Sequence, residues 1–319
     1  MPQQRHVILD MDMGIDDAVA VLYLASRPHV TIEAAGSVHG NTPADLAAGN
    51  LLRVLAMVGH PEVPVAMGAK RPMVREAHVA GEVHGDDGLG NTVPAGAVAP
   101  GAVTGESAPA QIIRLARSAP GHYDILATGP LTNLALALVL EPDLPSLIGE
   151  VVVMGGATRG GNMTPVAEAN IWHDPEAARL VFGAPWKVTM VGLDVTMQTI
   201  LDEAALATIA AAADTSATAR FATGILRHYL DFYEKISGRR ACPLHDPTAA
   251  AVYADPDLVT KAIQADVAVA ISDDARGQTI VDRRHDGGQW APPREPATTV
   301  VLEVDAPRFT ADLVRVLTA

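Results

Sequence analysis

Residues 6–18 read HVILDMDMGIDDA, a short apolar run followed by four carboxylates within eight residues. The apolar run predicts a buried β-strand. The acidic residues at its carboxyl end are Asp10, Asp12, Asp16 and Asp17. Like charges this close destabilise each other unless a proton or a cation neutralises them. A helix N-terminus favours acidic residues but would explain only one or two of the four. The stretch therefore indicates a cation-binding site at the end of a strand.

Two other uses of clustered aspartates fit this stretch less well. In an EF-hand loop counted from Asp10, Gly and Glu are required where the chain has Ile15 and Val21, so that motif is excluded. Phosphatases with an aspartate nucleophile carry Asp-x-Asp after a strand, as Asp10 and Asp12 do here. They favour a hydroxyl-bearing or branched residue at the position of Gly14. Phosphatase chemistry remains a distant alternative.

The rest of the chain alternates short β-branched runs with longer amphipathic stretches. This pattern predicts an α/β fold with a mostly parallel, Rossmann-like central sheet, right-handed crossovers and helices on both faces. The predicted strands are residues 6–10, 31–37, 123–127, 151–154, 187–193, 262–271 and 299–304. The predicted helices are residues 16–26, 43–58, 108–118, 131–140, 174–182, 202–213, 215–236 and 245–253.

Polar residues gather just after four of the predicted strands, at residues 10–17, 39–42, 128–133 and 155–162. Ligands of such sheets bind outside the carboxyl ends of the strands, so we expect the active site there. Residues 68–105 show little periodicity and predict a long loop, which is usually functional or mobile. Residues 289–298 predict a rigid connection before the last strand.

Composition and net charge limit the kinds of molecule that the protein is expected to bind. The chain has 319 residues, 49% of them hydrophobic, and a formal net charge of −14. That charge disfavours nucleic acid and anionic membrane surfaces and favours divalent cations. The single cysteine, Cys242, predicts a packed thiol rather than a disulfide. With no apolar run long enough for a membrane span and no signal-peptide pattern, we expect one cytoplasmic domain over residues 1–319.

Several blocks, in order along the chain, resemble those of the nucleoside hydrolases, calcium enzymes that cleave the N-glycosidic bond of ribonucleosides. The blocks are ILDMDMGIDDA (8–18), VHGN (38–41), HGDDGLG (84–90), TGPLTN (128–133), VVMGG (152–156), AEANI (167–171), DPEAA (174–178) and LHDP (244–247). One departure is Met13, where the family often has proline; it puts only the local turn in doubt. The resemblance implies the nucleoside hydrolase fold and a Ca²⁺ cofactor.

The resemblance also implies roles for individual residues. Asp12, Asp17, Asp246 and the main-chain carbonyl of Thr128 would bind calcium, which takes about six to eight oxygen ligands. Asp12 would also act as general base toward the attacking water. The residues expected to contact ribose are Asp16, Asn41 and Asn170 at the 2′ and 3′ hydroxyls, Asn162 and Glu168 at the 5′ hydroxyl, and Met154 against the sugar.

His245 precedes a proposed calcium ligand, so we expect it to donate a proton to the departing base, a role that the ordinary imidazole pKa suits. His84 and Tyr229 are expected near the base, in segments 77–87 and 225–241, and Tyr233 shares a helical face with Tyr229. The three tryptophans, Trp172, Trp186 and Trp290, lie outside those segments, which weighs against a purine-only site built on stacking.

The sequence thus predicts a calcium-dependent ribonucleoside hydrolase of the inosine-uridine type, acting on purine and pyrimidine nucleosides. A pyrimidine-preferring hydrolase is the alternative within the family, and a non-catalytic calcium or nucleoside-binding module is the alternative outside enzymology. The resemblance further implies a homodimer or homotetramer.

Overall fold

The computed structural model describes residues 3–284, 295 and 297–319. Its strands are β1 Arg5–Met11, β2 Val30–Ser37, β3 Val65–Ala66, β4 Tyr123–Ala127, β5 Val151–Met154, β6 Val188–Val191, β7 Ile200–Asp202, β8 Ala241–Pro243, β9 Val259–Ala265, β10 Val267–Val269, β11 Thr279–Val281 and β12 Thr298–Val304. Eight of them form one sheet in the order β3-β2-β1-β4-β5-β6-β12-β9. All neighbours in it are parallel except β9, which is antiparallel to β12.

The helices are α1 Ile15–Ala25, α2 Ala44–Met57, α3 Gly81–His84, α4 Ala108–Ser118, α5 Thr132–Leu140, α6 Leu144–Leu147, α7 Ala169–His173, α8 Pro175–Gly183, α9 Leu193–Thr196, α10 Glu203–Ala211, α11 Ala217–Ser237, α12 His245–Ala254 and α13 Ala306–Thr318. Within the described residues, none of them combines the length and the apolar character needed to cross a membrane.

Alternate residues of β1 face two separate hydrophobic cores. Val7 and Leu9 pack into a core that includes residues of α1, α11, α12 and α13, whereas Ile8 packs on the opposite face with residues of α4, α5 and α8. Burial on both faces explains the continuous apolar run in this strand. The predicted α/β fold with a mostly parallel sheet is confirmed. The central position of β1 places its carboxyl end in the middle of the expected ligand-binding edge.

The predicted elements differ from the structure at three places. The strand predicted at 262–271 is two strands: β9 joins the main sheet, and β10 turns away to pair with β11. The strand predicted at 187–193 ends at Val191 because α9 begins at Leu193. The loop predicted at 68–105 contains one helical turn, α3. Most of the predicted connection at 289–298 lies outside the described residues.

The C-terminal helix α13 was not predicted, nor were the short elements β3, β7, β8, β11, α6, α7 and α9. Its signals are nonetheless in the sequence: Asp305 caps it by accepting from the backbone N–H of Arg308 at 3.1 Å, and a proline follows in the first turn. Phe309 and Leu313, four residues apart, are buried against the core.

Candidate active site

The carboxyl end of β1 gathers a cluster of buried carboxylates. Asp10 lies in β1, Asp12 follows it, and Asp16 and Asp17 occupy the first turn of α1. Asp246 joins them from the first turn of α12, which packs against α1. Carboxylate oxygens of Asp16, Asp17 and Asp246 all lie within 4.8 Å of one another. The fold therefore brings together acidic groups from opposite ends of the chain.

These carboxylates are electrostatically strained without a counterion. Burial raises the pKa of Asp17 to about 7, and repulsion from Asp16 adds to the effect. Burial likewise raises the pKa of Asp12 and of Asp246 well above the usual range, with repulsion from neighbouring aspartates next in importance. Asp16 Oδ1 and Asp246 Oδ2 are buried without a hydrogen-bond partner among the residues that the structure describes. An oxygen-only donor set with unpaired oxygens and excess negative charge fits a hard cation such as Ca²⁺.

Asn41 holds the carboxylate of Asp12 in place. The backbone N–H of Asn41 donates to Asp12 Oδ2 at 2.6 Å, and its side-chain amide donates to Oδ1 at 3.0 Å. Such a close approach requires glycine at position 40, because a Cβ there would lie 2.0 Å from Asp12 Oδ2. The glycine of the VHGN block is therefore required by the packing of this loop on Asp12.

The turn between β1 and α1 brings His84 against the site. The backbone N–H of Ile15 donates to His84 Nδ1 at 3.1 Å, and a Cβ at Gly14 would lie 2.5 Å from the same nitrogen. Met13 has a φ of 45°, a conformation that a proline ring cannot adopt. The local turn, which the departure at Met13 put in doubt, therefore has a backbone conformation unavailable to the proline common in the family.

Thr128, Met154 and Asn170 meet at the carboxyl ends of β4 and β5. The Thr128 hydroxyl donates to Asp17 Oδ1 at 2.5 Å. The Asn170 amide donates to the carbonyl oxygens of Thr128, at 2.8 Å, and of Met154, at 3.0 Å. A carbonyl oxygen has two lone pairs, so this contact leaves Thr128 one for a cation.

Glu168 is buried and caps α7. Its carboxylate accepts from the backbone N–H groups of Asn170 and Gly156, both at 2.9 Å, and of Ile171 at 3.1 Å. These contacts were not foreseen from the sequence. Asn162, in contrast, is exposed, with its Oδ1 accepting from the backbone of Ala169 at 3.0 Å. Their contact with a 5′ hydroxyl stays a prediction.

His245 is buried, with a partner at each ring nitrogen. Thr196 Oγ1 lies 2.8 Å from Nδ1, and the Tyr233 hydroxyl lies 3.3 Å from Nε2. Burial lowers the pKa of His245, so the ordinary pKa expected from the sequence does not hold in this site. The ring is neutral at neutral pH, and its two partners fix its orientation.

A row of contacting aromatic side chains extends from His245 to the carboxylates. The Tyr229 hydroxyl donates to Asp16 Oδ2 at 3.2 Å, and the Tyr229 and Tyr233 rings meet edge to face at 5.0 Å. The His84 ring lies 5.7 Å from that of Tyr229. The structure thus places Tyr229, His84 and His245 beside the cluster, and their contact with the base stays a prediction.

Two contact residues were missed or undervalued from the sequence. Thr196 was not singled out, because its role depends on the contact between α9 and α12, which are distant in the chain. Tyr233 was noted only for sharing a helical face with Tyr229.

The cysteine and the tryptophans lie as follows. Cys242 is a buried free thiol, as predicted. Trp172 lies outside the expected base segments, yet its ring meets that of His78 edge-on at 5.6 Å. Trp290 lies outside the described residues.

Comparisons with known proteins agree with this geometry. Residues 7–311 match the family model described as inosine-uridine preferring nucleoside hydrolase. The chain is 38% identical to a pyrimidine-specific ribonucleoside hydrolase (RihA) of Shewanella woodyi over 96% of this chain and 95% of that protein. It is 36% identical to an inosine-uridine preferring nucleoside hydrolase of Crithidia fasciculata, with the same coverage.

Solved structures show the same likeness. A purine-preferring ribonucleoside hydrolase from Gardnerella vaginalis superposes with a TM-score of 0.90 at 32% identity over 98% of both chains. A plant nucleoside hydrolase superposes with a TM-score of 0.92 at 30% identity over 99% of both chains. The family match over nearly the whole chain, the full-length relatives and the assembled carboxylate site lead to one conclusion: the chain belongs to the inosine-uridine preferring nucleoside hydrolase family and is an N-glycosidase.

Proposed function

We propose that the protein hydrolyses purine and pyrimidine ribonucleosides to ribose and free base in a calcium-dependent reaction. One observation carries the proposal: His245 and Asp246 are consecutive residues in the first turn of α12, so one turn would present both the proposed proton donor and a proposed cation ligand. Asp246 faces the carboxylates of α1, and His245 faces Thr196 and Tyr233. A sugar held at the carboxylates would place its base toward the histidine.

Asp12, Asp17, Asp246 and the Thr128 carbonyl would hold the cation, as the family resemblance implies. When bound, calcium would fix the sugar hydroxyls and make deprotonation of the attacking water easier. Asp12 takes the proton of that water. The two hydrogen bonds from Asn41 hold its carboxylate in a fixed orientation for this transfer.

His245 delivers a proton to the departing base from Nε2. For a neutral ring to carry its hydrogen on Nε2, Nδ1 must accept a hydrogen bond, and the Thr196 hydroxyl at 2.8 Å is placed to donate it. Nε2–H then points to Tyr233 in the free site, and the base takes the place of that partner. Negative charge developing on the base favours the charged imidazolium, so the ring takes up a proton from solvent at Nδ1 as the glycosidic bond weakens. The Nε2 proton then passes to a nitrogen of the base, and the ring returns to its neutral form.

The rings near the base support a broad substrate range. His84, Tyr229, Tyr233 and His245 each combine an apolar ring with a polar atom. Such rings can contact the faces of different bases and still hydrogen-bond to different edges. Proton donation by His245 also serves both base classes, since each leaves as a nitrogen anion. Because one relative is named a pyrimidine-specific ribonucleoside hydrolase, pyrimidine preference is the second candidate function.

A panel of inosine, adenosine, guanosine, uridine, cytidine and p-nitrophenyl phosphate tests the proposal, with free ribose and free phosphate as readouts. We expect ribose from both base classes with calcium and none with a chelator. Ribose from uridine and cytidine alone would support the pyrimidine-preferring alternative. Phosphate release would indicate phosphatase chemistry, and substrate binding without turnover would leave only a binding module.

A further inference from the structure

A second group of metal-ligating side chains lies at the opposite end of the sheet. His6 is near the start of β1, Glu33 lies in β2, and His122 immediately precedes β4. Because β1 has seven residues, this group is roughly 20 Å from the carboxylates at its other end. It therefore cannot belong to the nucleoside site.

The three side chains are close enough to share one ion. A ring nitrogen of each histidine and a carboxylate oxygen of Glu33 lie within 4.8 Å of one another. His6 Nδ1 already lies 2.6 Å from Glu33 Oε1, and the two imidazole rings are 4.0 Å apart. Ligands around a tetrahedral zinc ion at about 2.0–2.1 Å lie roughly 3.3 Å apart, so rotation of the exposed His122 side chain would have to bring its ring nitrogen closer.

A β-bulge directs Glu33 toward His6. Val7 pairs with Ile32, but the next residue, Ile8, pairs with Ala34, so Glu33 is an extra residue in β2. In a regular strand, successive residues would alternate between faces. The bulge instead allows Glu33 and Ala34 to lie on the same side as His6 and Ile8. Bulges commonly redirect a side chain in this way.

We propose that His6, Glu33 and His122 form a site for a borderline divalent transition metal, with Zn²⁺ as the representative ion. Two imidazoles and one carboxylate are typical zinc ligands and differ from the oxygen-only set at the carboxyl end of β1. The side chains of His6 and Glu33 are 24% and 30% exposed, which leaves room for a water as fourth ligand. Bound metal would connect three adjacent strands, β2, β1 and β4, at their amino ends.

The chain offers a matched control for this site. His60 Nδ1 lies 3.3 Å from Glu62 Oε1, an exposed His–Glu pair outside the three-ligand group. His122→Asn and Glu33→Gln each remove one ligand of the proposed site, whereas His60→Asn removes a histidine from the control pair. His122 is exposed in a loop, so its substitution should leave the fold intact; thermal unfolding without metal verifies this.

The experiment is calorimetric titration of the full chain with Zn²⁺ at saturating Ca²⁺, so that the carboxylate cluster is filled. We expect one zinc per chain, at least about tenfold weaker binding in His122→Asn and Glu33→Gln, and unchanged binding in His60→Asn. The visible spectrum of bound Co²⁺ should show tetrahedral coordination that His122→Asn abolishes. No saturable zinc binding, or equal affinity in wild type and His122→Asn, would overturn the proposal.

Discussion

Replacing His245 with alanine should damage cleavage of natural nucleosides far more than cleavage of p-nitrophenyl riboside. The ring of His245 is buried and held at both nitrogens, by Thr196 and Tyr233. Its proposed role is to protonate the departing base, which matters only when that base leaves poorly as an anion. The p-nitrophenolate anion leaves without protonation, and the alanine variant keeps Asp12, Asp17 and Asp246.

The expected loss of activity in His245→Ala follows from the position of the His245 ring. A positioned acid contributes about 100- to 10,000-fold, or about 2.7–5.4 kcal/mol at 1.36 kcal/mol per tenfold. Truncation also leaves the buried Thr196 hydroxyl without its partner, which costs about 1–3 kcal/mol of stability. We therefore expect kcat for inosine and uridine to fall at least about 100-fold, while p-nitrophenyl riboside loses no more than a few-fold.

The assay compares kcat/KM on the three substrates at saturating calcium, with His60→Ala as a control that removes an exposed histidine. Thermal unfolding checks that His245→Ala is folded at the assay temperature. An equal loss on natural and activated substrates would refute the acid role. It would mean that His245 supports the metal site through its neighbour Asp246. An unchanged rate on the natural nucleosides would mean that another residue donates the proton, and His84 and Tyr229 would be tested next.

Other contacts of the site give further expectations. Calcium at about 100 times its Kd should stabilise the fold by about 2.7 kcal/mol, and a chelator should reverse this; an unchanged Tm would contradict the calcium assignment. Asp12→Asn should abolish turnover but not the folded far-UV spectrum, because an amide oxygen still accepts one hydrogen bond from Asn41 yet the amide takes no proton. Thr196→Val should lower kcat on uridine about 2- to 10-fold and Thr196→Ser should restore it; equal loss in both would indicate packing alone. His173, at the end of α7, is buried, and burial lowers its pKa to about 4 against 6.5 unfolded, so the fold loses stability as pH falls from 6.5 toward 4. Between pH 7 and pH 4.5 the unfolding free energy from urea titration should accordingly fall by roughly 2–3 kcal/mol less in His173→Gln than in wild type, and an equal fall in both would contradict this.

The cation-binding role of the aspartate-rich stretch could be predicted from the sequence, because the local density of negative charge alone indicates it. Four carboxylates after a buried strand demand neutralisation wherever the strand lies. The structure adds the pairing that sequence spacing cannot supply: Asp246 reaches Asp16 and Asp17 only because α12 packs on α1. Resemblance to a family supplied that partner in advance; periodicity and composition did not.

Contacts between distant elements account for what was missed in the site. The hydrogen bond between Thr196 and His245 joins the ends of two helices, and no local sequence pattern indicates that these helices meet. In the fold, the break between β9 and β10 follows from their different partners rather than from any change in β-propensity. Helix α13 is a different case, since Asp305 and the spacing of Phe309 and Leu313 carry a readable helix signal.

The arrangement of α1 and α12 links cation binding to catalysis. The carboxylates of Asp16 and Asp17 belong to α1, and that of Asp246 belongs to α12, so repulsion between them opposes the packing of the two helices. A cation between them would replace repulsion with attraction and hold the first turn of α12 against α1. His245 lies in that same turn, so a bound cation would also hold its backbone in place relative to the sugar, while Thr196 and Tyr233 orient its ring. Cation binding would therefore complete the proposed ribose site and position the proposed proton donor together.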